Sequence, residues 1–161
     1  VIPVGVSFYY KQNTKFIPGV RTEAIKFATA QEVLAAGYSL DWRDGPNGRL
    51  QPDFQEAADF IPLIEQPDGV VAPYFSLELA GKRYAMARYY TDRNVYRFAG
   101  DPIVATTQQL ENVFDATYEL TTKPKTLGKQ PTTMPFSTLI GPTDQKVSKA
   151  IQDYLANQSN D

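Results

Sequence analysis

The sequence of 161 residues predicts an α+β fold: an antiparallel β-meander sheet packed with several short helices, an extended Pro/Thr-rich arm and a C-terminal amphipathic helix. Three observations carry this expectation. Apolar and polar side chains alternate over residues 4–11 and again from 74 to 98, the period of strands with one buried face. Helix caps stand before apolar residues spaced three and four apart. Residues 121–142 hold four prolines, six threonines, three lysines and no acid, with neither period. The expected organisation is a globular body over 1–120, the arm over 121–142 and the helix over 143–161.

In the first strand Val4, Val6, Phe8 and Tyr10 alternate with Gly5, Ser7, Tyr9 and Lys11. After Pro18-Gly19 the run EAIKF gives another short strand. Thr29 and Glu32 spell a capping box, in which the Thr hydroxyl takes the Glu amide and the Glu carboxylate reaches back to the Thr amide. Gly37 suits the left-handed residue that closes the helix, expected over about 30–36.

The loop DWRDGPNGRL, residues 41–50, has the composition of a calcium site. A calcium loop of the EF-hand type needs oxygen ligands at positions one, three and five, glycine at six and glutamate at twelve. Counting from Asp41 puts Arg43 third and Pro52 twelfth; counting from Asp44 puts Pro46 third and Gln55 twelfth. Both frames fail, and Gly45-Pro46 with Asn47-Gly48 read as a plain turn. Trp42, the sole tryptophan, is expected to anchor that turn.

Asp53 and Glu56 then resemble the cap of a second helix, with Phe54, Ala57, Ala58 and Ile61 on one face and Pro62 as its stop. On such a helix Glu56 and Asp59 share a surface, although the helix dipole alone accounts for acids there. A two-residue turn at Ala80-Gly81 pairs Leu79 with Lys82, Glu78 with Arg83, Leu77 with Tyr84 and Phe75 with Met86. A further turn at residues 91–94 leads to a third strand, Val95 to Phe98. Thr106 and Gln109 cap a third helix carrying Leu110, Val113, Phe114 and Thr117. In the last helix, capped by Thr143, Val147, Ala150, Ile151, Tyr154 and Leu155 form one apolar stripe.

Composition excludes more chemistry than any motif suggests. With no cysteine and no histidine there is no structural zinc site of the usual kind, no thiol nucleophile and no Ser-His-Asp relay. A net charge of −2 and a pI of about 5.2 argue against broad nucleic-acid binding. No apolar run approaches the roughly 18 residues of a membrane span, and VIPVGVSFYY is too polar at its end for a signal peptide, so no membrane insertion is expected.

The expected role is a structural or assembly subunit of a larger complex, such as a virion, working through protein partners or self-association without a cofactor. Its interface residues are taken from the dense tyrosines and the apolar residues of arm and terminal helix: Tyr89, Tyr90, Tyr96, Met134, Phe136, Leu139, Ile140, Ile151 and Tyr154. Two alternatives stand beside it. An enzyme would use carboxylates or a hard cation, with Asp41, Asp44, Glu56 and Asp59 as its clustered candidates. A small-molecule or glycan-binding module would use Trp42 and the tyrosines.

Overall fold

The structure, a computed structural model, describes residues 1–14, 18–21, 23–44, 50–69, 76–127 and 129–159. In chain order the elements are β1 (Ile2–Gln12), β2 (Lys26–Phe27), α1 (Ala30–Ala35), β3 (Arg43–Asp44), β4 (Leu50–Gln51), β5 (Phe54–Glu65), β6 (Ser76–Leu79), β7 (Lys82–Met86) and β8 (Tyr89–Asp92). Then come α2 (Arg93–Val95), a π-helical turn (Tyr96–Gly100), α3 (Asp101–Thr107), a 3-10 turn (Val113–Asp115), β9 (Ala116–Leu127), β10 (Gln130–Pro142) and α4 (Gln145–Ser159). The fold is α+β with antiparallel sheets, as the sequence predicts.

The main sheet runs β2-β1-β5-β7-β6, with β8 also on β5. β1 lies along one edge of β5, from Ile2 opposite Leu63 to Gln12 opposite Phe54. The other edge is shared: β8 pairs with Ala57 to Phe60 and β7 with Leu63 to Glu65. Ile61 and Pro62 fall in the gap between those two partners, so a proline without an N–H costs the central strand no ladder bond on that side.

The segment expected as the second helix is therefore the central strand. Its helical spacing is coincidental, because β5 feeds two cores and so loses the alternation of a half-buried strand. Ala58 and Phe60 pack with Tyr96, Ile103, Val104 and Tyr118, under the helical segment and the base of the arm. Leu63 packs with Ile2, Leu79, Tyr84 and Phe114 against Val147 and Ile151 of α4. Phe54 belongs to a third group, its ring 5.3 Å from Phe27 and 4.9 Å from Tyr38.

The strand expected at Val95 to Phe98 is helical instead: the chain leaves β8 and folds over the sheet as α2, the π-turn and α3, burying Tyr96, Ala99 and Gly100. The third helix starts and ends earlier than expected, at Asp101 and Thr107. Phe114 and Thr117 lie in the 3-10 turn and β9. Asp144, not Thr143, caps α4, its Oδ1 accepting the N–H groups of Lys146 and Val147 at 2.9 and 3.4 Å. Thr143 is buried and its hydroxyl lies 3.0 Å from that of Thr117.

Local signals are realised closely. The Thr29 hydroxyl accepts the Glu32 amide at 3.2 Å, and the Glu32 carboxylate accepts the Thr29 amide at 3.3 Å. Gly37 follows at φ +88°. Leu79 faces Lys82, Glu78 faces Arg83 and Leu77 faces Tyr84 around Ala80 and Gly81, whose φ angles of 51° and 78° make a type I′ turn. Phe75 and Tyr74 lie outside the described residues, as do the turn dipeptides of residues 45–48.

Residues 121–142, expected as an irregular arm, form most of a long hairpin in which β9 and β10 pair from Ala116 opposite Pro142 to Leu127 opposite Gln130. Its prolines permit this because of their register. Pro124 faces Thr133, Pro131 faces Thr126 and Pro135 faces Thr122, so all three occupy the same class of pair in the antiparallel alternation. That class directs N–H groups away from the partner strand, as Tyr118 shows by giving its outward N–H to the Val1 carbonyl at 2.9 Å. Each proline thus lacks a donor only on the outer edge of the hairpin.

Candidate functional site

The residues expected at an interface divide into three sets. Tyr96, Met134 and Ile151 are buried in the chain's own core. Tyr89 and Tyr154 are partly buried against it, and the Phe136 ring lies 5.0 Å from that of Phe98. Tyr90, Leu139 and Ile140 are open to solvent, at 62%, 50% and 65% exposure. The terminal helix accordingly belongs to the body, with Val147 and Ile151 in the same cluster as Leu63.

The arm is fixed at its middle. Ser137 Oγ donates to the Ala99 carbonyl of the π-turn at 2.6 Å, and Met134 is buried. Lys125 Nζ stands 4.1 Å from the Phe98 ring centroid and Lys123 Nζ 5.1 Å from that of Phe136, so cations close over the tilted pair. Beyond this clamp Pro124, Thr126, Gln130, Pro131, Thr132 and Thr133 are exposed.

One stretch of the sheet is also open. Around Gly5, Ser7, Asp59, Ile61, Arg88 and Tyr90 there is a shallow groove of about 380 Å³. Tyr9 Oη donates to Asp59 Oδ1 at 2.7 Å, and Lys11 pairs with Asp92 at 2.7 Å. Burial first, then the Asp59 hydrogen bond and charge, pushes the Tyr9 hydroxyl well above the usual tyrosine range.

Another concavity lies where Tyr10 and Glu56, opposite each other on β1 and β5, meet the helical segment. It holds about 520 Å³, and its walls include Trp42, Phe54, Arg93, Tyr96, Arg97 and Asp101. Tyr96 Oη donates to Asp101 Oδ1 at 3.4 Å. Burial, reinforced by the like charge of Asp101, raises the Glu56 carboxyl above its ordinary value. Tyr10 is raised by burial and by Glu56. Arg93 holds φ +49°, a conformation costly for any residue with a Cβ, and the π-turn supplies Tyr96 and Arg97.

Glu56 and Asp59 do not share the surface that a helix would give them, because successive strand residues alternate and these two, three apart, take opposite faces. Asp59 is bound to Tyr9, while Asp41 is exposed on the loop that carries Trp42. The side chain of Asp44 lies outside the described residues. The partner of Glu56 is Asp101, which enters through the π-turn that the sequence reading took for a strand; an acid just before Pro102 at a helix start was its only local signal. Trp42, expected as a partly buried anchor, is 61% exposed at the cleft wall.

Among the described residues no helix is long and apolar enough to cross a membrane. Compared with family models, with curated proteins and with solved structures, the chain matches none.

Proposed function

We propose that this protein is an assembly subunit that joins neighbouring chains through the distal half of the β9–β10 hairpin. One observation carries the reading: the hairpin continues past its clamp at Met134 and Ser137 as a two-stranded ribbon with exposed side chains. Two strands alone are marginal in water, so contacts beyond the body give such a ribbon its purpose and its order. Its lysines, with no acid between residues 121 and 142, contrast with a remainder that carries 13 Lys and Arg against 18 Asp and Glu, since three of the 16 bases lie in the arm. Exposed Leu139, Ile140 and Tyr90 add apolar area of the kind interfaces use.

The test removes the free half and keeps Met134, Phe136 and Ser137. Replacing Pro124–Thr133 by Asn-Gly joins Lys123 to Met134, a pair in the hydrogen-bonded class that closes a two-residue turn. The full chain is expected to self-associate in sedimentation velocity, and the shortened chain to sediment as a folded monomer. A full chain that stays monomeric at all accessible concentrations, alone and with extract from its source, overturns the reading.

A further inference from the structure

Where the hairpin meets the π-turn, charge of one sign gathers around two rings. Lys125 Nζ lies 4.1 Å from the Phe98 centroid and 5.7 Å from that of Phe136, Lys123 Nζ lies 5.1 Å from Phe136, and the Arg97 guanidinium 5.3 Å from Phe98. The rings are themselves 5.0 Å apart. Lys125 thus stands within about one Debye length, roughly 10 Å at 0.1 M salt, of both other cations, so their repulsion is not fully screened. Among the described residues none of the three has a carboxylate within ion-pair distance or a hydrogen-bond acceptor, although Arg97 also lines the cleft that holds Asp101. The register of the hairpin sharpens the asymmetry. Thr121 faces Phe136, Lys123 faces Met134 and Lys125 faces Thr132, so these six share one face of the ribbon. The opposite face carries Thr122, Pro124, Thr126, Pro131, Thr133 and Pro135, with no charge. Solubility does not require both lysines on one face beside an arginine from a separate element.

We infer that this cluster binds a phosphate monoester dianion, whose terminal oxygens accept N–H groups of Lys123, Lys125 and Arg97 beside the hydroxyls of Thr121 and Thr132. A monoester carries close to two negative charges on three strong acceptor oxygens, which matches three converging cations. Each ring attracts an ammonium on one side and leaves its remaining donors free on the other. Because the rings already hold the cations in place, little side-chain freedom is lost when the anion arrives. Three cations make too thin a footprint for a nucleic-acid backbone, where affinity grows with each phosphate neutralised. The phosphate is either inorganic or carried by a small organic molecule. This inference goes beyond the assembly reading and does not rest on it.

Lysine side chains that lie over phenyl rings have displaced carbon and proton resonances, so NMR of the lysine Cε–H groups reports on Lys123 and Lys125 directly. The full chain is titrated at constant ionic strength with glycerol 2-phosphate, with inorganic phosphate and with dimethyl phosphate, a singly charged diester like the nucleic-acid backbone. A saturable shift of both lysine signals is expected with glycerol 2-phosphate. Its affinity should fall about tenfold in Lys125→Gln, read from Lys123, and in Arg97→Gln, as for the loss of one charge-assisted hydrogen bond. Lys149→Gln, an equal change of charge at an exposed position of α4, should keep the parent affinity. Circular dichroism checks that the variants remain folded. Inorganic phosphate binding as tightly as the ester assigns the site to free phosphate; weaker binding assigns it to a small organic monoester. The absence of a saturable shift, equal binding of dimethyl phosphate, or a loss in Lys149→Gln as large as in Lys125→Gln overturns the inference. None of these results touches the assembly reading, which is decided by sedimentation of the full and arm-shortened chains.

Discussion

Gly100 and Thr91 are packed so closely that a methyl group on Gly100 would collide with the Thr91 hydroxyl and approach the Tyr96 ring to 2.8 Å. Thr91 cannot give way, being fully buried with its Oγ1 donating to the Ala58 carbonyl at 2.8 Å. Gly100→Ala is therefore expected to cost about 1–3 kcal/mol, the usual penalty of overpacking. Thermal denaturation checks it, and an unchanged midpoint would show that the π-turn slides to make room.

Ala80 holds φ +51° at the first central position of the β6–β7 turn, where Asn or Gly is favoured. Ala80→Gly is expected to stabilise the protein by up to about 1 kcal/mol, because relief of the left-handed strain exceeds the entropy glycine adds to the unfolded chain. The melting midpoint should rise by about 2–4 °C. A lower midpoint would contradict the type I′ assignment.

Glu56 should weaken the fold as it ionises. Its folded carboxyl is raised by burial and by Asp101, so the folded state holds the proton more tightly than the unfolded state does. Stability contributed by this group is full below the ordinary glutamate value and is lost as pH rises through the raised one. Glu56→Gln is thus expected to be more stable than the parent at pH 7, with the advantage shrinking toward pH 4. Urea unfolding at both values tests it, and a variant less stable at pH 7 would give Glu56 a supporting role instead.

The residues expected at an interface should separate by stability. Ile151, 1% exposed beside Leu63 and Tyr84, is expected to cost about 2–5 kcal/mol when changed to alanine. Ile140, 65% exposed, should change the stability of the isolated chain by no more than about 0.5 kcal/mol as Ile140→Ser. Equal losses at both positions would mean that the base of the arm is packed more tightly than its exposure indicates.

What could be read in the sequence was what neighbouring residues decide among themselves. Thr29 with Glu32, Ala80-Gly81 with its flanking pairs, and the stripe from Val147 to Leu155 are set by contacts within a few positions. Phe54 to Glu65 was misread because partners at both edges and cover on both faces hide the strand period; Ala57 and Ala58 are adjacent and both fully buried. The π-turn was invisible for a similar reason, since Tyr96 and Gly100 are held by Thr91 and the sheet below them. The cleft follows from that: Trp42 and Glu56 were singled out separately, but Asp101 joins them only through tertiary structure.

The outward placement of Pro124, Pro131 and Pro135 also bears on how the free chain avoids aggregation. A long bare ribbon offers two free edges, each a template on which another strand can grow, and stacked copies of such ribbons end in cross-β fibrils. Here the positions that would donate to an added strand are interrupted by proline on both edges, once on β9 and twice on β10. Hairpins of crowded chains can meet side chain to side chain but cannot zip backbone to backbone. The hairpin can thus be held in a concentrated solution of the chain without converting it into amyloid.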